Sequence, residues 1–461
     1  MAKSETPNES GGPRITRRSL IKGAAAGGGL LVMPSLLAAC GDDAADTTTT
    51  AAAGATETTE AAMALAGTTV SVGSNASDEL TKNAYGAMFS RFEEISGATL
   101  DINTVDHNTF QEQINTYLQG QPQEVFTWFA GYRMQFFADK GLATPITDVW
   151  DASLTSNYKP GFKQASTGLD GEQYFVPFIT YPWALFYRKS VWEENGYTVP
   201  TTMDEWVAVC QAMEADGMVP IAFGDLDGWP AMGTFDYFNM RVNGYQYHVD
   251  LMAHREKWDD PRTKEVFAAW KDMLPYHQPG ALGRTWQEAA QTCAAGDAGM
   301  YLLGMFVGEQ FQEYSQEARD DLDFFAFPEI NPDFGQDSVD APIDGFMLSK
   351  TAPDNIEGAK ALAAFIGTGE AQDYYTAANS NWLATADDAD TSGYTSLQNK
   401  ALELIGSVDN IAQFLDRDTR PDFASTVVLP SIQDWLNDPE NIDGITASME
   451  EQAEAIFATD Q

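Results

Sequence analysis

The chain has 461 residues, 68 of them Asp or Glu against 26 Lys or Arg, for a formal net charge of −42. A field of that sign repels nucleic-acid phosphates and anionic lipid headgroups, which argues against nucleic-acid partners and an electrostatic phosphate-binding role. At this length, with 44% hydrophobic residues, there is enough apolar surface for two domains or for one two-lobed body.

Residues 1–39 carry Lys3, Arg14, Arg17, Arg18 and Lys22 against Glu5 and Glu9, a charge of +3, so the remaining 422 residues carry about −45. Arg17 and Arg18 precede a Gly/Ala-rich apolar run from about Gly23 to Ala39, interrupted by Pro34 and closed by Leu37-Ala38-Ala39-Cys40. The run is too short and too weakly apolar for a membrane span and reads as a cleavable export signal. It resembles a twin-arginine signal joined to a lipobox. That resemblance implies that Cys40 becomes the first mature residue, thioether-linked to diacylglycerol. Leu20 stands where an aromatic is commoner, which leaves general secretory export as the alternative route. The plain structural alternative is a buried Gly/Ala helix with an incidental Cys40. Residues 40–66 read as the lipidated cysteine followed by a disordered tether of mostly Asp, Ala, Thr and Glu, with a reach of about 25–30 Å. Two acyl chains suffice for stable anchoring, so the expected location is extracytoplasmic, lipid-anchored to the cell membrane.

The body opens on Thr69-Val70-Ser71-Val72, which alternates as a strand, followed by a helical face of Tyr85, Met88, Phe89, Phe92 and Ile95 stopped by Gly97. A second strand spans Thr99 to Val105. Asn108 with Gln111 forms a capping-box pattern before Phe110, Ile114, Tyr117 and Leu118, and Glu124 to Phe129 is a third strand. The alternation predicts an α/β lobe. It restarts where Thr202 and Glu205 cap a helix carrying Met203, Trp206, Val207, Cys210 and Met213, ended by Gly217 before a strand from Val219 to Phe223. Cys210 and Cys293 fall on separate predicted helices and are the candidate disulfide pair, with two buried thiols as the alternative.

Several segments in fixed order resemble the family 1 extracellular solute-binding proteins of ABC importers, the maltose-binding-protein-like group. They are Glu124-Val125-Phe126-Thr127-Trp128-Phe129-Ala130-Gly131 with Gly141 to Ile146; Tyr174-Phe175-Val176-Pro177-Phe178 with Ala184 to Lys189; and the helix start Pro200-Thr201-Thr202-Met203-Asp204-Glu205-Trp206. The turn Ala294 to Met300, the return strand Pro342 to Lys350 and the helix Ala361 to Gln372 complete the set, so the resemblance covers about residues 68 to 455. Glu124 stands near the place of the family's usual Asp. The resemblance implies an α/β, two-lobed periplasmic-binding-protein-like fold with hinge crossovers near Pro177 to Tyr181, Phe327 to Ala341 and Ser380. The expected divisions are 67–178 and 328–380 for the first lobe, 179–327 and 381–461 for the second. It further implies a monomeric receptor, not an enzyme, that encloses a carbohydrate between the lobes and delivers it to the membrane subunits of an ABC permease.

A sugar site needs aromatic plates for C–H faces and polar groups for vicinal hydroxyls. Trp192, Trp206, Trp270 and Trp435 sit among apolar residues of predicted helices and read as core. Trp128, at a strand's C-terminal end, and Trp183, after a crossover, lie where open α/β sheets bind ligands. Trp229 is on a loop, Trp382 is near the last crossover, and Phe306 occupies the place of the family's sugar-stacking aromatic. The polar candidates are Asn75, Asp344, Tyr132, Arg133, Asp225 and Asp227, each also explained as a solvated loop residue or Asx turn. Arg417 reads first as a local ion pair within Asp416-Arg417-Asp418, with entry into the cleft from the C-terminal segment as the alternative.

No cofactor or metal is expected, because the four histidines lack ligand spacing and Asp225-x-Asp227-Gly228 is only a fragment of a calcium loop. Ser156-Asn157-Tyr158-Lys159 fits S-x-x-K without its companion motifs. A lipid-anchored glycoside hydrolase, and a binder of glycerol phosphate or another polar metabolite, are the alternatives.

Overall fold

The computed structural model describes residues 65–458; the predicted signal, Cys40 and nearly all of the tether lie outside the described residues. In chain order the strands are β1 (Thr69–Ser74), β2 (Thr99–Thr104), β3 (Val125–Phe129), β4 (Ala143–Thr144), β5 (Phe175–Thr180), β6 (Trp183–Arg188), β7 (Val219–Ala222), β8 (Ala298–Gly304), β9 (Leu322–Phe325), β10 (Ser338–Asp340), β11 (Ile343–Ser349), β12 (Leu383–Ala384) and β13 (Asn410–Ala412). A seven-stranded sheet runs β12-β5-β11-β3-β1-β2, with β4 also on β11, and a second sheet runs β7-β8-β6-β9. Each sheet is the centre of one α/β lobe.

Helix Glu79–Ser96 forms on the predicted face. Tyr85, Met88, Phe89 and Phe92 are buried, and Gly97 at φ 71° closes the helix by donating its N–H to Glu93 O. β1 pairs in parallel with β2 and β3, and β3 is buried along its whole length, as a strand covered by helices on both faces must be. The helix after β2 is capped by Asp106, whose Oδ1 accepts from Thr109 N at 3.0 Å, and not by the predicted Asn108. The predicted capping box at Thr202 and Glu205 is present. Trp192, Trp206, Trp270 and Trp435 are core residues, each at most 2% exposed.

Only Tyr181 and Pro182 separate β5 of the first sheet from β6 of the second. The chain returns through β10 into β11, which lies antiparallel between β3 and β5. The last crossing comes later than Ser380. Leu383 and Ala384 pair with Thr180 and Ile179 on the edge of the first sheet, and an extended dipeptide carries too little periodicity to announce itself. β13 then pairs with β10, and the turn Leu415–Asp418 packs between helices of both lobes.

Cys210 and Cys293 are both free and buried, which corrects the disulfide candidate in favour of its alternative, two buried thiols. No described helix is long and apolar enough to cross a membrane.

Candidate functional site

Between the sheets lies a cleft of about 920 Å³, mouth included. It is reached from the C-terminal ends of β1, β3 and β8, from both sides of the first crossover and from the last crossing segment.

Its walls are largely aromatic. Phe306 stacks on Trp382 with ring centroids 5.8 Å apart and 23° between planes, and Tyr181 stands edge-on to both at 5.3 and 4.7 Å. Trp229 meets Trp183, Trp286 and Phe306, each at 6.0 Å. Phe414 lies against Trp183 at 5.0 Å. The indole Nε1 atoms of Trp183 and Trp229 are buried with no hydrogen-bond partner among the described residues.

The polar groups are held from behind. Asn75 Oδ1 accepts from Thr127 Oγ1 at 2.9 Å. Arg417 Nη1 donates to Asp344 Oδ1 at 2.7 Å, and Arg417 sits over the Phe129 ring at 4.1 Å. Asp416 is paired with Arg133 at 3.0 Å. Burial raises the Asp344 carboxyl above its ordinary range, with the attraction of Arg417 opposing. His107 is pushed down to about 4 by burial and by Arg417 and Arg133, so it is neutral at physiological pH. Glu309 is pushed up to about 7 by burial, against hydrogen bonds from Thr81, Asn379 and Trp382.

Trp128, Trp183, Trp229, Phe306, Trp382, Asn75 and Asp344 all line the cleft. Four other predicted residues do not. Tyr132 begins helix Tyr132–Asp139 outside the lining, and Arg133 stands behind it, donating to Gln111 Oε1 at 2.7 Å and lying 5.0 Å from the Trp128 ring. Asp225 turns inward, accepting from Ala231 N at 2.8 Å to cap helix Trp229–Asn243. Asp227 faces Asn108 of the opposite lobe. The sequence reading missed Tyr181, Trp286, Glu309, Phe414 and Asp416, and ranked a local ion pair for Arg417 above entry into the cleft, which Arg417 does line. The strand-end rule that found Trp128 extends to His107 after β2 and to Glu309 after β8, but local spacing marks neither. Among the described residues no group of His, Cys, Asp and Glu is placed to hold a metal ion.

Two lobes joined by crossover segments around one enclosed, aromatic-lined cleft define a binding protein of the hinge-closing class. Residues 73–373 match the model of the bacterial extracellular solute-binding proteins, and the chain belongs to that family. It is 27% identical over 294 residues to an uncharacterized ABC transporter extracellular-binding protein of Pyrococcus horikoshii, an alignment that spans 63% of this chain and 64% of that protein. It is 28% identical over 172 residues, 34% of this chain and 37% of the other, to the alpha-glucosides-binding periplasmic protein AglE of Rhizobium meliloti. Among solved structures, the bacterial solute receptor AcbH, described as exclusive for β-D-galactopyranose, superposes with a TM-score of 0.82 at 43% identity, covering 84% of this chain and 99% of that one. A chitin oligosaccharide binding protein shares the fold at 20% identity and a TM-score of 0.76, over 85% and 100% of the two chains.

Proposed function

We propose that this chain is the extracytoplasmic receptor of an ABC importer, that it encloses one neutral monosaccharide of the D-galactopyranose type, and that it hands the sugar to the permease. The observation that carries the reading is the cleft's lining: aromatic plates at right angles, two unpartnered indole donors, and the carboxylates of Glu309, Asp344 and Asp416 against a single lining guanidinium already engaged by Asp344. Such a site offers acceptors to hydroxyls and repels an anion, which disfavours glycerol phosphate and sugar acids. The likeness to AcbH supports a single pyranose in preference to an oligosaccharide.

In this reading Trp183, Trp229, Phe306 and Trp382 supply stacking surface, while Asn75 and Asp344 bind hydroxyls. Trp128 supports them from the first lobe. Closure brings the lobes together on the ligand, and the closed form docks on the permease as a monomer. Cys40, as a lipidated anchor after export under Arg17 and Arg18, keeps the receptor within reach of its partner; Cys40→Ala is expected to release the protein with binding intact.

Calorimetric titration of the purified protein with D-galactose, glucose, glycerol 3-phosphate and galactooligosaccharides tests the reading. One mole of galactose bound per mole, without release of reducing ends from any oligosaccharide, is the expected result. Hydrolysis would instead assign two of the cleft carboxylates to a glycosidase.

A further inference from the structure

Glu309 lies in the first turn of helix Val307–Tyr314, which follows β8 in the second lobe, yet its carboxylate is held entirely by the first. Its Oε1 accepts from Thr81 Oγ1 at 2.7 Å, Asn379 Nδ2 at 2.8 Å and Trp382 Nε1 at 2.8 Å. Thr81 belongs to the helix beside β1; Asn379 and Trp382 flank the approach to β12 on the first sheet. The orientation of Asn379 is fixed in turn, because its Oδ1 takes both the backbone N–H of Asn381 at 3.2 Å and its Nδ2 at 2.9 Å, which leaves the Asn379 amide N–H₂ for Glu309. The two lobes meet so closely that a Cβ at Gly308 would come within 2.1 Å of Asn381 Oδ1.

Three donors on one oxygen saturate it. Among the described residues none bonds Oε2, and Glu309 lines the cleft although only 6% of its surface is exposed. A buried carboxylate is costly unless its second oxygen also finds a donor, and Oε2 keeps its access to the cleft, from which one can reach it.

We propose that Glu309 is a specificity-determining ligand residue assembled by lobe closure: the first lobe fixes Oε1, and Oε2 accepts a hydroxyl of the enclosed sugar. The inference rests on the sugar reading above and assigns that site an acceptor at a defined position. It also couples recognition to closure, because separating the lobes takes away all three donors that aim the carboxylate.

Titration of the full chain at pH 8.5, above the value of about 7 to which burial pushes Glu309, with D-galactose and its monodeoxy analogues separates this role from a structural one. Wild type is expected to lose about tenfold to a hundredfold in affinity for one analogue, the size of a charge-assisted hydrogen bond. In Glu309→Gln the amide oxygen takes the place of Oε1 and a donor faces the sugar. Galactose should then weaken by a similar factor, and the penalty for that one analogue should collapse to less than about threefold. Thr81→Val should weaken all the sugars together by a few-fold and keep the analogue's penalty. Should the Gln variant fail to fold, Glu309→Asp withdraws the same oxygen by one methylene and gives the same readout. If Glu309→Gln binds every sugar as wild type does, or weakens all of them equally, Glu309 is a lobe contact only and the inference falls while the sugar reading stands. If wild type binds none of the sugars, the sugar reading falls and takes the inference with it.

Discussion

Arg417 Nη1 meets Asp344 Oδ1 at 2.7 Å, tying the last crossing segment to the return strand β11 across 73 residues of sequence. Both side chains are nearly buried, at 8% and 16% exposed, so neither charge is solvated without the other. Breaking such a pair from one side leaves a carboxylate stranded, whereas removing both ends costs much less. Arg417→Met is therefore expected to destabilise the protein by about 3 kcal/mol, and adding Asp344→Asn to recover at least half of that loss. Urea unfolding of the two variants and the wild type measures this. A single-variant loss under about 1 kcal/mol would mean that water reaches the pair and that it holds nothing in place.

Asp225 caps helix Trp229–Asn243 from inside the second lobe, and burial pushes its carboxyl up to about 7, against the Ala231 N–H and Gln433. The folded state then holds a proton that the unfolded chain releases near 3.8. Below that pH both states are protonated and nothing is lost. Between about 4 and 7 the folded state binds more protons, so stability falls as pH rises, and above 7 the whole penalty is present. Asp225→Asn keeps an oxygen for Ala231 N and removes the ionisation. It should gain on the order of 4 kcal/mol over wild type at pH 8 and nothing at pH 3.5. Denaturation at the two pH values decides the matter, and an equal gain at both would point to packing instead of charge.

Asp225 and Asp227 also show how far a sequence can be read for a site. Both are loop carboxylates beside Trp229, with identical local signals, yet one turns inward to cap a helix and the other reaches Asn108 on the opposite lobe. Nothing within a few residues distinguishes these fates. Trp128 and Trp183 were legible because strand ends and crossovers are marked by local hydrophobic pattern, and ligands gather there. Tyr85, Met88, Phe89 and Phe92 were legible for the same reason: a helix's buried face repeats every three or four residues. Glu309 was not, since its partners Thr81 and Trp382 are 228 and 73 residues away. The family resemblance supplied the two-lobed fold and a last crossing near Ser380, but no local pattern announced the short Leu383–Ala384 strand on the first sheet.

The two body cysteines should behave as unreactive core residues. Burial pushes the Cys293 thiol up to about 12 and raises that of Cys210 well above its usual range, so neither supplies a thiolate near neutrality. Reductant is expected to leave the melting temperature unchanged. Alkylation followed by peptide mass analysis should label Cys210 and Cys293 only after unfolding, and recovery of a peptide linking the two would contradict the structure.

Phe414 is a bulky residue at φ 96°, where side chains other than glycine are strained by about 1–3 kcal/mol. Neighbouring bonds enforce that backbone. Its carbonyl accepts from Arg417 N and Asp418 N, each at 2.9 Å, while Leu415 N is held by Asp236 Oδ2 at 2.7 Å and Gln413 N by Asp418 Oδ2 at 2.9 Å. The conformation sets the ring against Trp183 at the cleft, so the strain is spent on placing an aromatic wall. Glycine ordinarily stabilises a protein less than alanine by about 0.5–1 kcal/mol, because it loses more backbone freedom on folding. At this position the order should invert. Phe414→Ala forfeits the ring and keeps the strain, whereas Phe414→Gly forfeits the same ring and relieves it. The glycine variant is expected to be the more stable of the two by about 1 kcal/mol in urea unfolding. On the galactose reading both should lose affinity alike, by about tenfold, since each removes the same ring from the cleft wall. An alanine variant as stable as the glycine one would show that the segment relaxes to negative φ once the ring is gone, and that Trp183 packing, not the surrounding hydrogen bonds, imposes the strain.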